Sequence, residues 1–409
     1  MNSIRFIHAA DLHLDSPFKG LNYLPHEIFQ QVRASTFIAL TNLVDVAIKK
    51  EVDFLLLAGD LFDLEQRSLL AQAKLREEFL RLEKANIAVY VIHGNHDFLT
   101  KGHESFRYPK NVHIFGENVE VKPFVKNGIH LANIYGFSYY QRHILQNKTS
   151  EYQKRDQVPF HIGLLHGNLS GREEHDPYAP FTLSELLEKD FHYWALGHIH
   201  KKEILCSKPP IVYPGNIQGR NKKETEEKGC YLVELSHREA TLSFVETASI
   251  IWRNIDLSIE SLQTMDELIQ AIKDIIEETR KTFKKSLIQL TLSGSGPLYS
   301  HLLDESQLED MLLYLNSGEA DSISFQYVYS FANKTTPDYS KAVLKEKSFY
   351  QDFYQVVDQT DNIDVFLSSL FKHSEARHFL EPFNQEEKKA ILEEAEQWLV
   401  TKFLEGEKG

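Results

Sequence analysis

The clearest pattern along the chain is an unbroken apolar run, Phe54-Leu55-Leu56-Leu57-Ala58, that stops at Gly59-Asp60. A continuous run, rather than an alternating one, reads as a strand buried on both faces. Similar strands are expected at 4–10 and at Ile87 to Ile92. Between them, Phe37, Leu40, Val44, Ala47 and Ile48 recur at helical spacing, as do Leu69, Ala73, Leu75, Phe79, Leu80 and Leu82. Helices are therefore expected at 33–50 and 68–85. This βαβαβ start predicts an α/β fold with a parallel sheet and right-handed crossovers. Further strands are expected near 112–115, 129–136, 161–165 and 191–196, and an antiparallel hairpin at 229–235 and 241–246. The polar stretch 139–160 reads as a surface loop or short helix.

The pattern changes near residue 250. Strands at 252–257, 286–292 and 322–330 alternate with helices at 264–281 and 305–316, enough for a small α/β domain. Gly294-Ser295-Gly296-Pro297 reads as a turn and 333–338 as a linker. The remainder, 340–405, is helical and acidic. The expected division is 1–250, 251–335 and 340–409, in keeping with a chain of 409 residues, too long for one small core. Neither an internal repeat nor a low-complexity tract interrupts it.

Composition narrows the class. No run approaches the roughly 18 apolar residues of a membrane span. The sequence opens directly on a strand without a signal-peptide pattern, and Cys206 and Cys230 form no CxxC motif. A cytoplasmic protein with reduced thiols is expected. The net charge of −14 argues against a chain that coats nucleic acid, but leaves room for a local basic groove.

Chemistry enters through five short stretches at expected strand ends: Asp11-Leu12-His13, Gly59-Asp60, Gly94-Asn95-His96-Asp97, His166-Gly167-Asn168 and Gly197-His198-Ile199-His200. On an extended chain the side chains of an Asp-x-His pair leave the same face and can share an ion; the same holds for His198 and His200. The donors are oxygen and imidazole nitrogen without thiolate, which suits manganese, iron or zinc. A carboxylate such as Asp60 can bridge two cations about 3.5–4 Å apart, the spacing of two-metal phosphoryl chemistry. A lone Asp-x-His or Gly-Asp is more often structural. Five such stretches, each at a strand end, point to a metal centre.

The series DLH, GDLFD, GNHD, HGN and GHIH resembles the calcineurin-like metallophosphoesterase superfamily, in its DNA-repair exonuclease (SbcD-type) branch. His8-Ala9-Ala10-Asp11-Leu12-His13-Leu14-Asp15-Ser16-Pro17-Phe18 and Tyr213-Pro214-Gly215-Asn216-Ile217-Gln218-Gly219-Arg220 are similar to the YhaO-type subgroup. The resemblance spans roughly 8–220 and implies a β-sandwich flanked by helices, capped by the smaller α/β domain and followed by the helical region. It implies two divalent metal ions, manganese first with iron or zinc as alternatives. One would be held by Asp11, His13, Asp60 and His200, the other by Asp60, Asn95, His166 and His198. His96 would be the general acid or stabilise the transition state, and Asp97 would orient His96 or nearby backbone. Asp63 is expected behind the ligands or at a helix start, and His8 to pack near the site. The chain departs from the repair nucleases at Leu12 and Asp15, expected at the site's rim.

The implied activity is a two-metal DNA phosphodiesterase, an exonuclease or endonuclease in DNA repair. The basic residues Lys201, Lys202, Lys208, Arg220, Lys222 and Lys223 would meet the polyanion, with Arg220 as phosphate clamp; Glu224, Glu226 and Glu227 interleave with them and leave a solvated loop as the alternative. The rival readings are a phosphatase or small-molecule phosphodiesterase using the same metals, and a structural subunit with a vestigial site. The resemblance further implies docking of an SbcC-type ABC/SMC ATPase by the C-terminal helices, and a homodimer through helices 33–50 and 68–85. For the docking helix, Asn384 and Glu387 have capping-box spacing, and Ile391, Leu392, Ala395, Trp398, Leu399 and Phe403 form the expected stripe. The apolar segment 365–371 is a candidate to pair with it.

Overall fold

The computed structural model describes residues 3–63, 67–99, 106–171, 178–282, 285–360, 363–372 and 383–407. His103 and Pro382 lie outside these, as do the side chains of 369–372. The chain divides into two units. The first comprises Met1–Asn254, Ile276–Gln289 and Asn316–Tyr329; the second comprises Ile255–Ile275, Leu290–Leu315 and Ser330–Gly409.

The first unit opens β1 (Ser3–Ala9), α1 (His26–Lys49), β2 (Phe54–Ala58), α2 (Leu69–Lys84), β3 (Ala88–Ile92) and β4 (Val112–Ile114). It continues β5 (Glu120–Lys126), β6 (Ile129–Gly136), β7 (Phe160–His166), α3 (Leu183–Glu188), β8 (Tyr193–Gly197), β9 (Glu203–Ser207), β10 (Pro210–Tyr213), β11 (Gly229–Ser236) and β12 (Ala240–Glu246). These strands make two six-stranded sheets, ordered β12-β11-β1-β2-β3-β4 and β5-β6-β7-β8-β10-β9. β1 to β4 run parallel, as the βαβαβ pattern predicts. So do β6, β7, β8 and β10.

Alternate residues of one strand feed different cores, which is why β2 is apolar throughout. Leu55 and Leu57 pack with Leu40, Leu43, Leu75 and Phe79 of α1 and α2. Phe54, Leu56 and Ala58 point the other way, against Phe160, Ile162 and Leu164 of β7. On the far side of the second sheet, Leu165, Trp194 and Leu196 pack with Tyr152, Phe181 and Phe191. Each fully buried Leu or Phe contributes about 1.5–3 kcal/mol relative to exposure. β2, β7 and β8, each buried at every position, are thus firmly fixed, and Asp60 follows the first of them.

The structure departs from the sequence expectation in several places. Helix α1 starts at His26, not near 33, because Ile28 and Val32 extend its stripe into a separate cluster with Phe18, Leu21, Leu24 and Trp252. The sequence pattern does not show strand β5: only Phe124 of it is buried, and it contains Pro123. Its link to β6 is a two-residue turn, Asn127-Gly128, with φ of 53° and 78°, the geometry that favours Asn-Gly. α3, β9 and β10 were likewise not expected. The segment 139–160 is irregular except for a short turn at Thr149–Glu151, yet Tyr139, Ile144 and Tyr152 are wholly buried in it, so it is not a plain surface loop.

The remaining elements are β13 (Ile251–Ser258), α4 (Met265–Thr282), β14 (Ser286–Ser295), α5 (Tyr299–Leu302), α6 (Glu305–Leu315), β15 (Gln326–Thr336), α7 (Lys341–Leu344), α8 (Ser348–Asp358), α9 (Asp364–Lys372) and α10 (Gln385–Glu407). β13, β14 and β15 form a third, three-stranded sheet. β15 runs to Thr336, so 333–336 are strand rather than linker, and Gly294 and Ser295 belong to β14 rather than to a turn. In the second unit, α10 opens with the reciprocal Asn384–Glu387 bonds, 2.7 and 2.9 Å. Its buried face centres on Val400, packed with Leu344, Tyr350 and Tyr354. The expected stripe is split: Phe403 joins that face, whereas Trp398 is 50% exposed and Leu399 36%. Val365 and Phe366 are also exposed; among the described residues, Asp364 of α9 pairs with Lys388 of α10 at 2.8 Å. No described helix is long and apolar enough to cross a membrane.

Candidate metal centre

The loops after β1, β2, β3 and β8 and the last residue of β7 meet at the C-terminal ends of their strands. Backbone hydrogen bonds sew them together. Asp11 and His13 N–H donate to the carbonyls of Gly59 and Asp60, both at 3.0 Å, and Gly167 N–H donates to Gly197, 3.2 Å. Asp11, His13 and Asp60 have φ of 52°, 42° and 50°, and His198 has 98°. The Asp-x-His and His-x-His pairs are therefore not on extended chain, contrary to expectation. Left-handed backbone costs roughly 1–2 kcal/mol per non-glycine residue, and here it turns each donor inward.

Two glycines make the approach of these loops workable. Gly59 has φ 94°, and a side chain there would strike the His166 ring. A methyl at Gly94 would strike the Asp60 carboxylate and the same ring.

Two groups of ligand atoms share Asp11, and Asp60 lies beside the first and within the second. In the first, Asp11, His13 and His200 bring their donor atoms within 4.8 Å of one another, and His13 Nε2 lies 3.8 Å from Asp60 Oδ2. In the second, Asp11, Asp60 and His166 do the same. His166 Nε2 is 3.4 Å from Asp60 Oδ2 and 3.0 Å from Asn95 Oδ1, and His198 Nδ1 is 3.2 Å from Asn95 Oδ1. His198 N–H also donates to both Asp11 oxygens, 3.1 Å each.

The outer nitrogens of the histidines explain why this cluster fits cations. Asp63 Oδ1 lies 3.1 Å from His13 Nδ1, and Glu224 Oε1 bonds His200 Nδ1 at 2.9 Å. Glu224 draws the His200 ring proton to Nδ1 and leaves its Nε2 as a lone pair, while Asp63 stands beside His13 Nδ1 without hydrogen-bond geometry and favours a proton there by its charge. The two Nε2 atoms face each other at 3.0 Å. Lone pairs at that distance repel unless a proton or a cation lies between them. His166 is held the same way by the Ala58 carbonyl at Nδ1, 2.9 Å.

The electrostatics agree. Burial pushes the Asp11 carboxyl up to about 6. Burial opposes ionisation of Asp60 too, but His166, His13 and His96 around it hold it well below the usual carboxylate range. Burial and the nearby Arg220 push His13 down to about 3, so its ring is neutral, the form that binds metal. His166, despite burial, is drawn up to about 9 by Asp60 and Asp11. The same field attracts a divalent cation.

His96 is half-buried beside this cluster. Its N–H donates to Asp60 Oδ1, 2.9 Å, and its Nδ1 donates to the Asp63 carbonyl, 3.0 Å. Asp97 is buried and accepts from Leu61 N–H at 2.9 Å, Gly94 N–H at 2.7 Å and His93 Nδ1 at 2.9 Å. It thus braces the loop backbone and His93. Asp63 does not start a helix: α2 begins at Leu69, where Ser68 accepts from Ala71 N–H. His8 has both ring nitrogens engaged, with Tyr193 Oη and the Leu196 carbonyl, 3.0 Å each. Leu12 lies in the core under α1 rather than at the rim, and Asp15 pairs with Arg33, 3.5 Å.

A cavity of about 700 Å³ opens beside His96, lined among others by Ser16, Phe18, Lys19, Arg142, Arg220 and Asn221. Arg220 Nη1 is bonded to Asp63. Of the remaining basic run, Lys201 pairs with Glu226 at 3.3 Å and Lys202 with Glu227, so the interleaved glutamates neutralise part of it. Glu224, which sequence reasoning treated only as one of those glutamates, is the acid that holds His200. Asn168 Oδ1 accepts from Tyr178 N–H, 2.8 Å, and pins the loop after β7.

The family model for calcineurin-like phosphoesterases matches residues 4–202. The chain is 39% identical over 398 residues to the uncharacterized metallophosphoesterase YhaO of Bacillus subtilis, covering 97% of each chain. It is 23% identical over 364 residues to the DNA double-strand break repair protein Mre11 of Sulfolobus acidocaldarius, covering 83% of this chain and 91% of that one. It is 25% identical over 331 residues to Mre11 of Saccharolobus solfataricus, covering 76% and 81%. With the Bacillus identity carried along nearly the whole of both chains, and with a cluster built to hold cations at the strand ends, the protein belongs to the calcineurin-like metallophosphoesterase family.

Proposed function

We propose that the protein is a two-metal phosphodiesterase that cleaves DNA. The observation that carries the reading is the pair of donor groups sharing Asp11, with Asp60 3.8 Å from His13 of one and a member of the other, and with His96 and a cavity lined by Lys19, Arg142 and Arg220 beside them. Two bound divalent ions, manganese in the first instance, would supply Lewis-acid charge to the phosphoryl group and activate water. Asp11, His13, Asp60 and His200 would hold one, and Asp60, Asn95, His166 and His198 the other. His96 keeps Nδ1 on the Asp63 carbonyl, which leaves Nε2 to pass a proton to the departing sugar oxygen. Asp97 acts through the backbone of the Gly94 loop. Lys19 and Arg142 in the cavity beside His96 suit a polyanion in a chain whose overall charge is −14. The description of the archaeal relatives as DNA double-strand break repair proteins supports DNA rather than a small phosphate ester.

The reading extends to partners. The exposed Trp398, Leu399, Val365 and Phe366 suit docking of an SbcC-type ATPase, and exposed Ile38, Leu69 and Leu70 on α1 and α2 suit a homodimer, all within the cytoplasm. The test is a panel of duplex DNA, single-stranded DNA, a cyclic nucleotide and p-nitrophenyl phosphates, each with added manganese. Cleavage of DNA is expected; hydrolysis of the small esters alone would move the protein to the phosphatases, and no hydrolysis with two ions bound would favour a structural subunit. Truncation before Ser340 should leave cleavage of small substrates intact while abolishing ATPase pull-down.

A further inference from the structure

Arg220 reads from the sequence as a clamp on substrate phosphate, yet its side chain is only 16% exposed and already committed. Nη1 donates to Asp63 Oδ1, and the backbone N–H donates to Glu224 Oε2 at 2.8 Å. Asp63 and Glu224 are the two carboxylates behind the facing imidazoles, 3.1 Å from His13 Nδ1 and 2.9 Å from His200 Nδ1. One residue thus joins both. Each carboxylate is braced again from the side: Ser16 Oγ donates to Asp63 at 3.4 Å, and Asn216 Nδ2 to Glu224 at 2.7 Å.

Asp63 also stands within 4.8 Å of His13 and His96 in a third donor group that could capture an ion. A guanidinium seated on its carboxylate disfavours that capture, since the carboxylate's lone pairs are already shared with a fixed positive charge. The same contact holds Asp63 where its Oδ1 faces His13 Nδ1 and its carbonyl faces His96.

We infer that Arg220 is a positioning residue of the metal centre: its side chain locks Asp63 behind His13, while its backbone N–H holds Glu224 behind His200, so that the Nε2 atoms of His13 and His200 are aimed at one ion and substitution of the side chain tests the His13 half. The inference rests on the two-metal reading and says which residues set the geometry of one half of it. It separates two roles for Arg220. A phosphate clamp acts on substrate affinity and leaves the ions alone, whereas a positioning residue acts on the ions before any substrate arrives.

The test is manganese binding by the full-length protein, followed by calorimetric titration and by the manganese electron paramagnetic resonance spectrum, without substrate. The wild type should bind two ions. Arg220→Ala should weaken one of them about 10–100-fold, the usual effect of losing a partner behind a ligand, and should alter the spectrum. Arg220→Lys, which keeps the charge but not the fork, should recover part of the loss. In an Asp63→Ala background, Arg220→Ala should add less than it costs alone, because the two act as a unit. Wild-type affinity and spectrum in Arg220→Ala, with a raised KM for bis-p-nitrophenyl phosphate, would overturn the inference in favour of the clamp. If Arg220→Ala does not fold, Arg220→Lys and Asp63→Ala carry the comparison: weakening of the same ion in both supports the inference, and no change in either overturns it. A wild type that binds fewer than two ions would defeat the two-metal reading itself, an outcome distinct from unchanged variants.

Discussion

At Gly94 the lack of a side chain is what admits the Asp60 carboxylate and the His166 ring to the same space. Gly94→Ala should therefore fold but lose about 100-fold in activity, since displacements of about 1 Å at a reacting centre can cost that much; turnover and metal content measured together would check it. His96→Gln is expected to do the opposite to metal content. It should keep both ions and lose cleavage by roughly 10²–10⁴-fold, the usual worth of an acid–base group, as seen by elemental analysis beside a rate assay. His8 makes a pH prediction. Burial lowers its folded pKa from 6.5 to about 3. Between those values the unfolded chain binds more protons, so stability should fall as pH drops from about 6.5 towards 3. Urea midpoints at pH 7 and 5 should differ more in the wild type than in His8→Gln. The donors themselves were legible because each sits in a short run of donors beside a strand. Glu224 was not, because nothing local in Asn221-Lys222-Lys223-Glu224 distinguishes an acid that reaches back to His200 from one facing solvent.

The elements that carry the donors were the easiest to read, because a strand buried on both faces leaves no choice of residue type. β2, β3 and β7 fall close to where continuous apolar runs put them. Edge strands escaped for the converse reason: β5 buries only Phe124, so its pattern carries little beyond its Asn-Gly turn. Backbone at the strand ends escaped too, since an extended Asp-x-His and the observed left-handed Asp11 and His13 have identical sequence. Helix ends can be tested directly. Ser68 caps α2 by accepting from Ala71 N–H, 3.0 Å. Ser68→Ala should cost about 1 kcal/mol of stability, the typical worth of such a cap, with manganese binding unchanged, as read by urea denaturation and titration.

On the scale of the whole first unit, the donors do not come from one sheet. Asp11, His13, Asp60 and Asn95 follow strands of the first, and His166, His198 and His200 come from strands of the second. Ligand that binds only the folded state raises its stability by about 2.7 kcal/mol at one hundred times the dissociation constant. Chelation should therefore lower the thermal midpoint of the protein, and manganese should restore it, measured by calorimetry. An ion gripped by both leaves is a rivet through the sandwich, and the supply of metal sets how tightly it is driven. Amide exchange at the riveted ends of β2 and β7 should slow on loading, while β12 and β5, at the free margins, should exchange as before. The atoms that would hold metal for phosphoester chemistry would then also keep the two leaves shut, so a cell starved of metal would weaken the protein's frame along with its chemistry.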